Sequence, residues 1–378
     1  MSQGSAQTRL ITKTILKHIK HEDEFYPRIG RDYSVVSKIP GESAENSRHI
    51  LECSNKSYLI SAVGLAVSGG IDVPKSMTVG AMALIRAINN LSMGGAQCES
   101  ISVCIHADCD CAEESLRCEM IALTNISKKL GIRIIGGNTY FLERQLLHPD
   151  MGGGYDIEIT AFGNVDEACI KQLSEKPKKG DKVVILGDAG EYGAAMITDK
   201  KREEMTSRFS DSYMEQIVAG YNRDKDIMNT ICIAELAKEL VQAGAIYIHD
   251  VTFGGIYRTL LETSEYSGLG IQVRHEDIPI KQSTIEVCEF WNLNPYKLLG
   301  IGGIVAVFRG EEGEIIEKIN NLKLTESGKS DISIRVAGEL TGSKERLILS
   351  ERNKTHRSIT LYEEDEIYKI KTALALEN

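Results

Sequence analysis

Short apolar runs alternate with amphipathic stretches along most of this chain, and glycine pairs fall between them. Tyr58–Val67 is apolar apart from Ser61 and Gly64, and predicts a buried strand. Thr78–Leu91 sets Val79, Met82, Ile85 and Ile88 at helical spacing and predicts a helix. Ile101–His106 alternates as a strand. Ala112–Leu130 reads as a helix closed by Lys128, Lys129 and a Gly131 cap. Ile132–Ile135 predicts a strand that runs into Gly136-Gly137-Asn138-Thr139. Tyr155–Asn164 alternates cleanly, with Ile157, Ile159 and Ala161 on one side and Asp156, Glu158 and Thr160 on the other.

A second series follows. Lys182–Leu186, Ala245–Ile248, Ile271–Arg274 and Ile304–Phe308 predict strands. Lys225–Val241 predicts a helix capped at Gly244, and another runs from about Gly255 to Ser267. Between the two series, Lys171–Asp181 is charged, carries Pro177 and Gly180, and has little apolar content. It predicts a linker. Upstream, Leu10, Ile11, Ile15, Leu16 and Ile19 share one helical face. The expected division is therefore a helical arm over residues 1–25, a first domain over 26–176 and a second over 177–378, both mixing α and β.

Composition narrows the function classes. Hydrophobic residues make up 42% of the 378, and charged residues 26%, as in ordinary soluble proteins. No apolar run nears the ~18 residues of a membrane span. The formal net charge is −10, and the only basic stretch (Arg9, Lys13, Lys17, Lys20) meets Glu22, Asp23 and Glu24 at once. A nucleic-acid partner, which needs a concentrated basic face, is not expected. The start of the chain lacks a secretory apolar core, so the cytoplasm is the expected compartment. The nine cysteines then read as reduced thiols.

Several segments could carry chemistry. His249-Asp250-Val251-Thr252-Phe253-Gly254-Gly255 ends a strand and opens a helix, which aims backbone N–H groups at whatever sits above the strand. Asp250 and Thr252 are placed to cap that helix or touch a ligand; the plainer reading is a strand–turn–helix corner. Gly136-Gly137-Asn138-Thr139 suits a turn. Asn89-Asn90, near a helix end, need partners if buried. Cys98, Cys104, Cys109, Cys111 and Cys118, with His106, Asp108 and Asp110 among them, offer metal ligands without paired spacing, and incidental thiols are the plainer reading. Gly187–Gly193 has the glycines of a phosphate loop but lacks the Lys-Ser/Thr that would complete one.

In order, these motifs resemble the superfamily of aminoimidazole ribonucleotide (AIR) synthetase, thiamine monophosphate kinase, selenophosphate synthetase and the hydrogenase-maturation carbamoyl dehydratase. Gly30–Val36 is similar to its early acidic motif and Leu59–Gly64 to its Thr-Asp-Gly strand. Ala87–Ala96 matches its Asn-Asp helix end, Ile134–Thr139 its Gly-Gly-Asp-Thr, and His249–Ile256 its His-Asp-x-Thr-x-Gly-Gly. Val336–Leu340 and Asp365-Glu366-Ile367-Tyr368 look most like the hydrogenase-maturation branch. The resemblance implies an α+β fold of two domains. The N-terminal α/β domain would contribute to an intersubunit β-barrel in a homodimer, and a C-terminal α/β layer domain would cover the site. It also implies ATP and Mg²⁺, with Asp32 as a metal ligand and catalytic group and Asp250 catalytic. Asn89, Asn90, Gly136, Gly137, Asn138, Thr139, His249, Thr252, Gly254 and Gly255 would bind the cofactor.

This chain departs from that pattern. Where the resemblance expects metal-binding aspartates it has Val63, Asn90 and Asn138, and only Asp32 remains. Loss of ligand charge weakens a divalent-cation site. No cysteine follows Cys288 to serve as the C-terminal carbamoyl acceptor of the dehydratase branch. Two expectations follow. One is ATP-dependent activation of a substrate oxygen at a rearranged metal site, with His106, Asp108, Asp110 or Asp72 as substitute ligands. The other is a catalytically reduced relative that binds a nucleotide, a small phosphate-bearing ligand or a protein partner.

Overall fold

The structure is a computed structural model describing residues 33–39, 57–142, 154–221, 230–321, 332–350, 352, 354–359 and 364–370. The helical arm and Asp32 lie outside the described residues. Two sheets organise the chain. The first has strand order β1-β2-β5-β3-β4, built from β1 (Ser34–Ile39), β2 (Ser57–Val67), β3 (Ser100–Asp108), β4 (Arg133–Leu142) and β5 (Tyr155–Asp166). Only β3 and β4 pair in parallel. The second has order β12-β11-β8-β10-β6-β9-β7, with β6 (Lys182–Leu186), β7 (Ala245–Val251), β8 (Gly270–Arg274), β9 (Gly303–Phe308), β10 (Ile334–Thr341), β11 (Arg346–Ser350) and β12 (Thr355–Ser358).

The residue pattern explains how each sheet is covered. In the first, Ile60, Ala62 and Ala66 of β2 join Ile157, Ile159 and Ala161 of β5 and Ile101, Val103, Ile105 and Ala107 of β3 on one buried face. Helices α1 (Val79–Ser92) and α2 (Glu113–Lys129) lie against that face. The intervening residues fill the other face, in cross-strand rows that remain open: Val63–Thr160–Ser102–Gly136, Leu65–Glu158–Cys104–Asn138 and Val67–Asp156–His106–Tyr140. In the second sheet β9 is apolar at every position, and β6 at every position after Lys182, because both faces are covered there. Val184, Leu186, Ile304, Ala306 and Phe308 enter a core continuous with α1 and the first sheet. Val183, Ile185, Val305 and Val307 face a second core with Ile256, Leu260 and Leu261 of α6 (Gly255–Ser267).

Helix α1 is buried nearly all round because it is shared by both halves. Its start is capped twice. Thr78 accepts from Ala81 N–H, and the buried Glu119 of α2 accepts from Val79 and Gly80 N–H at 3.0 and 2.9 Å. Asn89 answers the need for partners set by its burial. Its amide donates to Ile231 O at 2.8 Å and accepts from Ile233 N–H at 3.0 Å, tying α1 to the segment before α5 (Ala234–Gln242).

Most predicted strands and helices recur within a few residues. Two differ. Of the helix expected over Lys225–Val241, residues 225–229 lie outside the described residues and the chain leaves the helical path at Cys232 and Ile233, so the helix proper starts at Ala234. Gly136-Gly137-Asn138-Thr139 is not a turn. β4 runs through it, with a bulge at Ile135, between Ile101↔Ile134 and Ser102↔Gly136. Gly137 is needed because a Cβ there would lie 2.0 Å from Val103 O on the neighbouring strand. The predicted linker is also shorter than expected, since Lys171–Ser174 complete helix α3 (Glu167–Ser174). No helix among the described residues is long and apolar enough to cross a membrane.

Candidate functional site

Two motif segments distant in sequence meet at the junction of the halves. On α1, Arg86 and Asn90 lie one turn apart. Asn90 donates from Nδ2 to Val63 O at 2.7 Å, and Arg86 donates to Leu65 O at 2.6 Å. Arg86 also pairs with Asp72, and its guanidinium lies 5.6 Å from the centre of the Phe253 ring. Phe253 stacks on Tyr368 with centroids 5.8 Å apart. A chain of contacts thus runs from β2 across α1 to the turn after β7 and the segment around residue 368.

That turn is shaped by Gly254 and Gly255, both left-handed (φ 83° and 61°). A Cβ on Gly255 would lie 2.6 Å from Leu298 O. Neither Asp250 nor Thr252 caps α6; no local side chain does. The cap comes from Asp365, whose carboxylate accepts from Gly254 N–H at 2.5 Å, Leu299 N–H at 3.3 Å and Ile367 N–H at 2.8 Å. The N–H group expected to face a ligand is therefore taken by an internal carboxylate. Burial pushes Asp365 up to about 6; its three N–H donors oppose this and Glu366 adds to it.

His249 is held within the fold. Its Nε2 is 3.1 Å from Glu262, which also bonds Arg258. Burial alone would raise Glu262, but the hydrogen bonds and charges of His249 and Arg258 bring it below its ordinary value. An ionised Glu262 is acceptor-only, so Nε2 of His249 carries a hydrogen. Asp250 is buried, 3.5 Å from His249 Nδ1.

The remaining candidates do not converge here. Gly136, Gly137, Asn138 and Thr139 lie on edge strand β4, three strand spacings from β2, roughly 14 Å away. The Asn138 side chain accepts from Thr139 N–H at 2.8 Å. The substitute metal ligands are dispersed as well. Asp72 pairs with Arg86, Asp108 is buried and accepts from Gly154 N–H at 2.9 Å, and His106 bonds Asp156. Among the described residues, no three of His, Cys, Asp and Glu gather to hold a metal ion. The cysteines are free thiols on different elements: Cys98 is buried, Cys104 lies on the open sheet face and Cys118 is exposed on α2. Val63 offers no donor and the amides of Asn90 and Asn138 are already engaged, so these three residues, where the resemblance expects carboxylates, do not suit tightly held Mg²⁺.

Sequence reasoning missed Arg86 and Tyr368 as parts of this junction, and missed Asp365 as the cap. Asp365 stands 111 residues from the helix it caps, so no local capping pattern reports it. A lone arginine on an otherwise apolar helix was the available signal for Arg86.

A family profile described as AIR synthase related protein, C-terminal domain, matches residues 178–344. Carbamoyl dehydratase HypE of Rhizobium leguminosarum bv. viciae is 26% identical over 298 residues, 78% of this chain and 73% of the relative. Other HypE relatives are matched over 62–63% of their own length. Among solved structures, a HypE-HypF complex superposes with TM-score 0.65 and 21% identity, covering 93% of this chain and 99% of that chain. HypE in complex with ATP gives TM-score 0.61 and 16% identity, with 97% of each chain covered.

Proposed function

We propose that this protein, whose residues 178–344 match an AIR synthase-related C-terminal domain and whose fold resembles that of HypE, binds ATP or a related phosphate-bearing ligand and acts by binding rather than by magnesium-dependent turnover. The ligand sits at the junction of α1, β2 and the 252–254 turn. The observation that carries the reading is the contact between Asn90 and Val63 O at 2.7 Å. Where a cation would need converging carboxylates, an amide closes onto a backbone carbonyl. The likeness to a HypE structure solved with ATP supports the nucleotide. Dispersal of Asp72, Asp108 and His106 into separate pairings weighs against a rebuilt metal site.

In this reading His249, Asp250, Thr252, Gly254 and Gly255 shape the ligand's border, and Asn90 marks the opposite wall. Asn89 serves the fold. The chain forms a homodimer through β4, an edge strand that exposes Ile135, Tyr140 and Phe141. The likeness to the HypE-HypF complex supports a protein partner as well. The test is photolabelling with azido-ATP beside an ADP-release assay in Mg²⁺. Labelled peptides spanning residues 63–94 or 249–258, with ADP release at the blank rate, are expected. Rapid Mg²⁺-dependent ADP release contradicts binding-only function, and label confined to other peptides contradicts the seat.

A further inference from the structure

One cluster on the open face of the first sheet plays no part in the nucleotide reading. Cys104 and His106 are two residues apart on β3, so both point to the same side. Cys104 Sγ lies 3.6 Å from His106 Nε2, and His106 Nδ1 lies 2.7 Å from Asp156 Oδ1 on β5. The His106 ring stacks on Tyr140 of β4, with centroids 5.9 Å apart and 21° between planes. The ring is therefore fixed by a hydrogen bond, an aromatic neighbour and its strand.

The hydrogen-bond roles follow from the chemistry of the partners. An ionised carboxylate only accepts, so Nδ1 of His106 carries the hydrogen donated to Asp156. In the neutral ring this leaves the Nε2 lone pair facing the Cys104 thiol. Nucleophile, base and orienting carboxylate stand in the order that activates a thiol for attack on carbon. The row holding His106 and Asp156 is the last in which β2 takes part, at Val67, and the His106 side chain keeps 31% of its surface exposed on this face.

We propose that Cys104, His106 and Asp156 form a thiol-acylation site that accepts an acyl group from an activated acyl compound. Cys104 Sγ forms the bond to the acyl carbon, and the thiol proton passes to His106 Nε2. The bond from that carbon to its leaving oxygen breaks, and His106 returns the proton to the leaving group. The products are a Cys104 thioester and the free alcohol or phenol. Asp156 is a positioning residue that holds the reactive tautomer.

The surrounding charges make the test sharp. Burial, with Glu158 and Asp156 facing the thiol, pushes Cys104 above its ordinary value. Without help from His106, Cys104 must react more slowly than the exposed Cys118. General-base assistance is worth on the order of 10²–10⁴-fold and reverses that order.

The experiment incubates the full chain with p-nitrophenyl acetate and follows acetylation of each cysteine by peptide mass mapping. At pH 7, Cys104 is expected to acetylate at least about tenfold faster than Cys118. In His106→Gln it drops below Cys118, whose own rate is unchanged, and Asp156→Asn gives an intermediate loss. A Cys104 rate below that of Cys118, or one indifferent to His106→Gln, overturns the proposal.

Discussion

The carboxylate of Asp365 caps α6 from 111 residues away, and its burial makes the cap sensitive to pH. Its ordinary value is 3.8 and burial carries it to about 6 in the folded chain. Between those values the folded state binds a proton that the unfolded state does not. The contribution is therefore fully present below pH ~4 and is lost as pH rises through about 6. Roughly two pH units at about 1.4 kcal/mol each come to ~3 kcal/mol. Replacing Asp365 with Ala removes this dependence along with the acceptors of three N–H groups. Urea unfolding of both proteins between pH 4.5 and 7.5 isolates the effect, because the other titrating groups are shared. From pH 4.5 to about 6 is roughly 1.5 pH units, so the advantage of wild type over Asp365→Ala should shrink by about 2 kcal/mol across that range. In hydrogen exchange, the amides of Gly254, Leu299 and Ile367 should lose protection together in the variant. An advantage that stays flat or grows with pH, or unchanged exchange at Gly254, would refute the cap as described.

Other expectations concern packing and the junction. Asn89→Ala should cost about 2 kcal/mol in urea unfolding, because it leaves Ile231 O and Ile233 N–H buried without partners. Gly137→Ala should abolish soluble expression or lower the melting temperature sharply, given the 2.0 Å approach to Val103 O. Gly136→Ala, with nothing within 4 Å of its added Cβ, should be tolerated by the same assay. The double change Val63→Asp, Asn90→Asp should make ATP binding more dependent on Mg²⁺ than in wild type; calorimetry showing no gain would mean these two positions do not face the nucleotide phosphates.

The elements were legible in the sequence where periodicity had one cause. The alternation of Tyr155–Asp166 reports a sheet covered on one face, and the unbroken run Gly303–Phe308 reports one covered on both. The Gly136–Thr139 segment misled because glycine and asparagine favour turns, whereas here glycine serves the close approach of two strands. The junction was half legible. The 249–255 motif and Asn90 were visible as candidates, but what binds to them was not. Arg86, Asp365 and Tyr368 reach the turn only through tertiary contacts that no local spacing records. That Val63, Asn90 and Asn138 stand where the resemblance expects aspartates is read from the sequence alone. The structure adds that Asn90 is engaged with Val63 O and that Asn138 lies three strand spacings from β2.

If nucleotide binding has outlived the metal site, ATP should bind without a divalent cation. Calorimetric titration of the purified chain with ATP, in excess EDTA and again in excess Mg²⁺, measures this. Saturable binding in both buffers with similar affinity is expected. Binding that appears only with Mg²⁺, or no binding in either, overturns the reading.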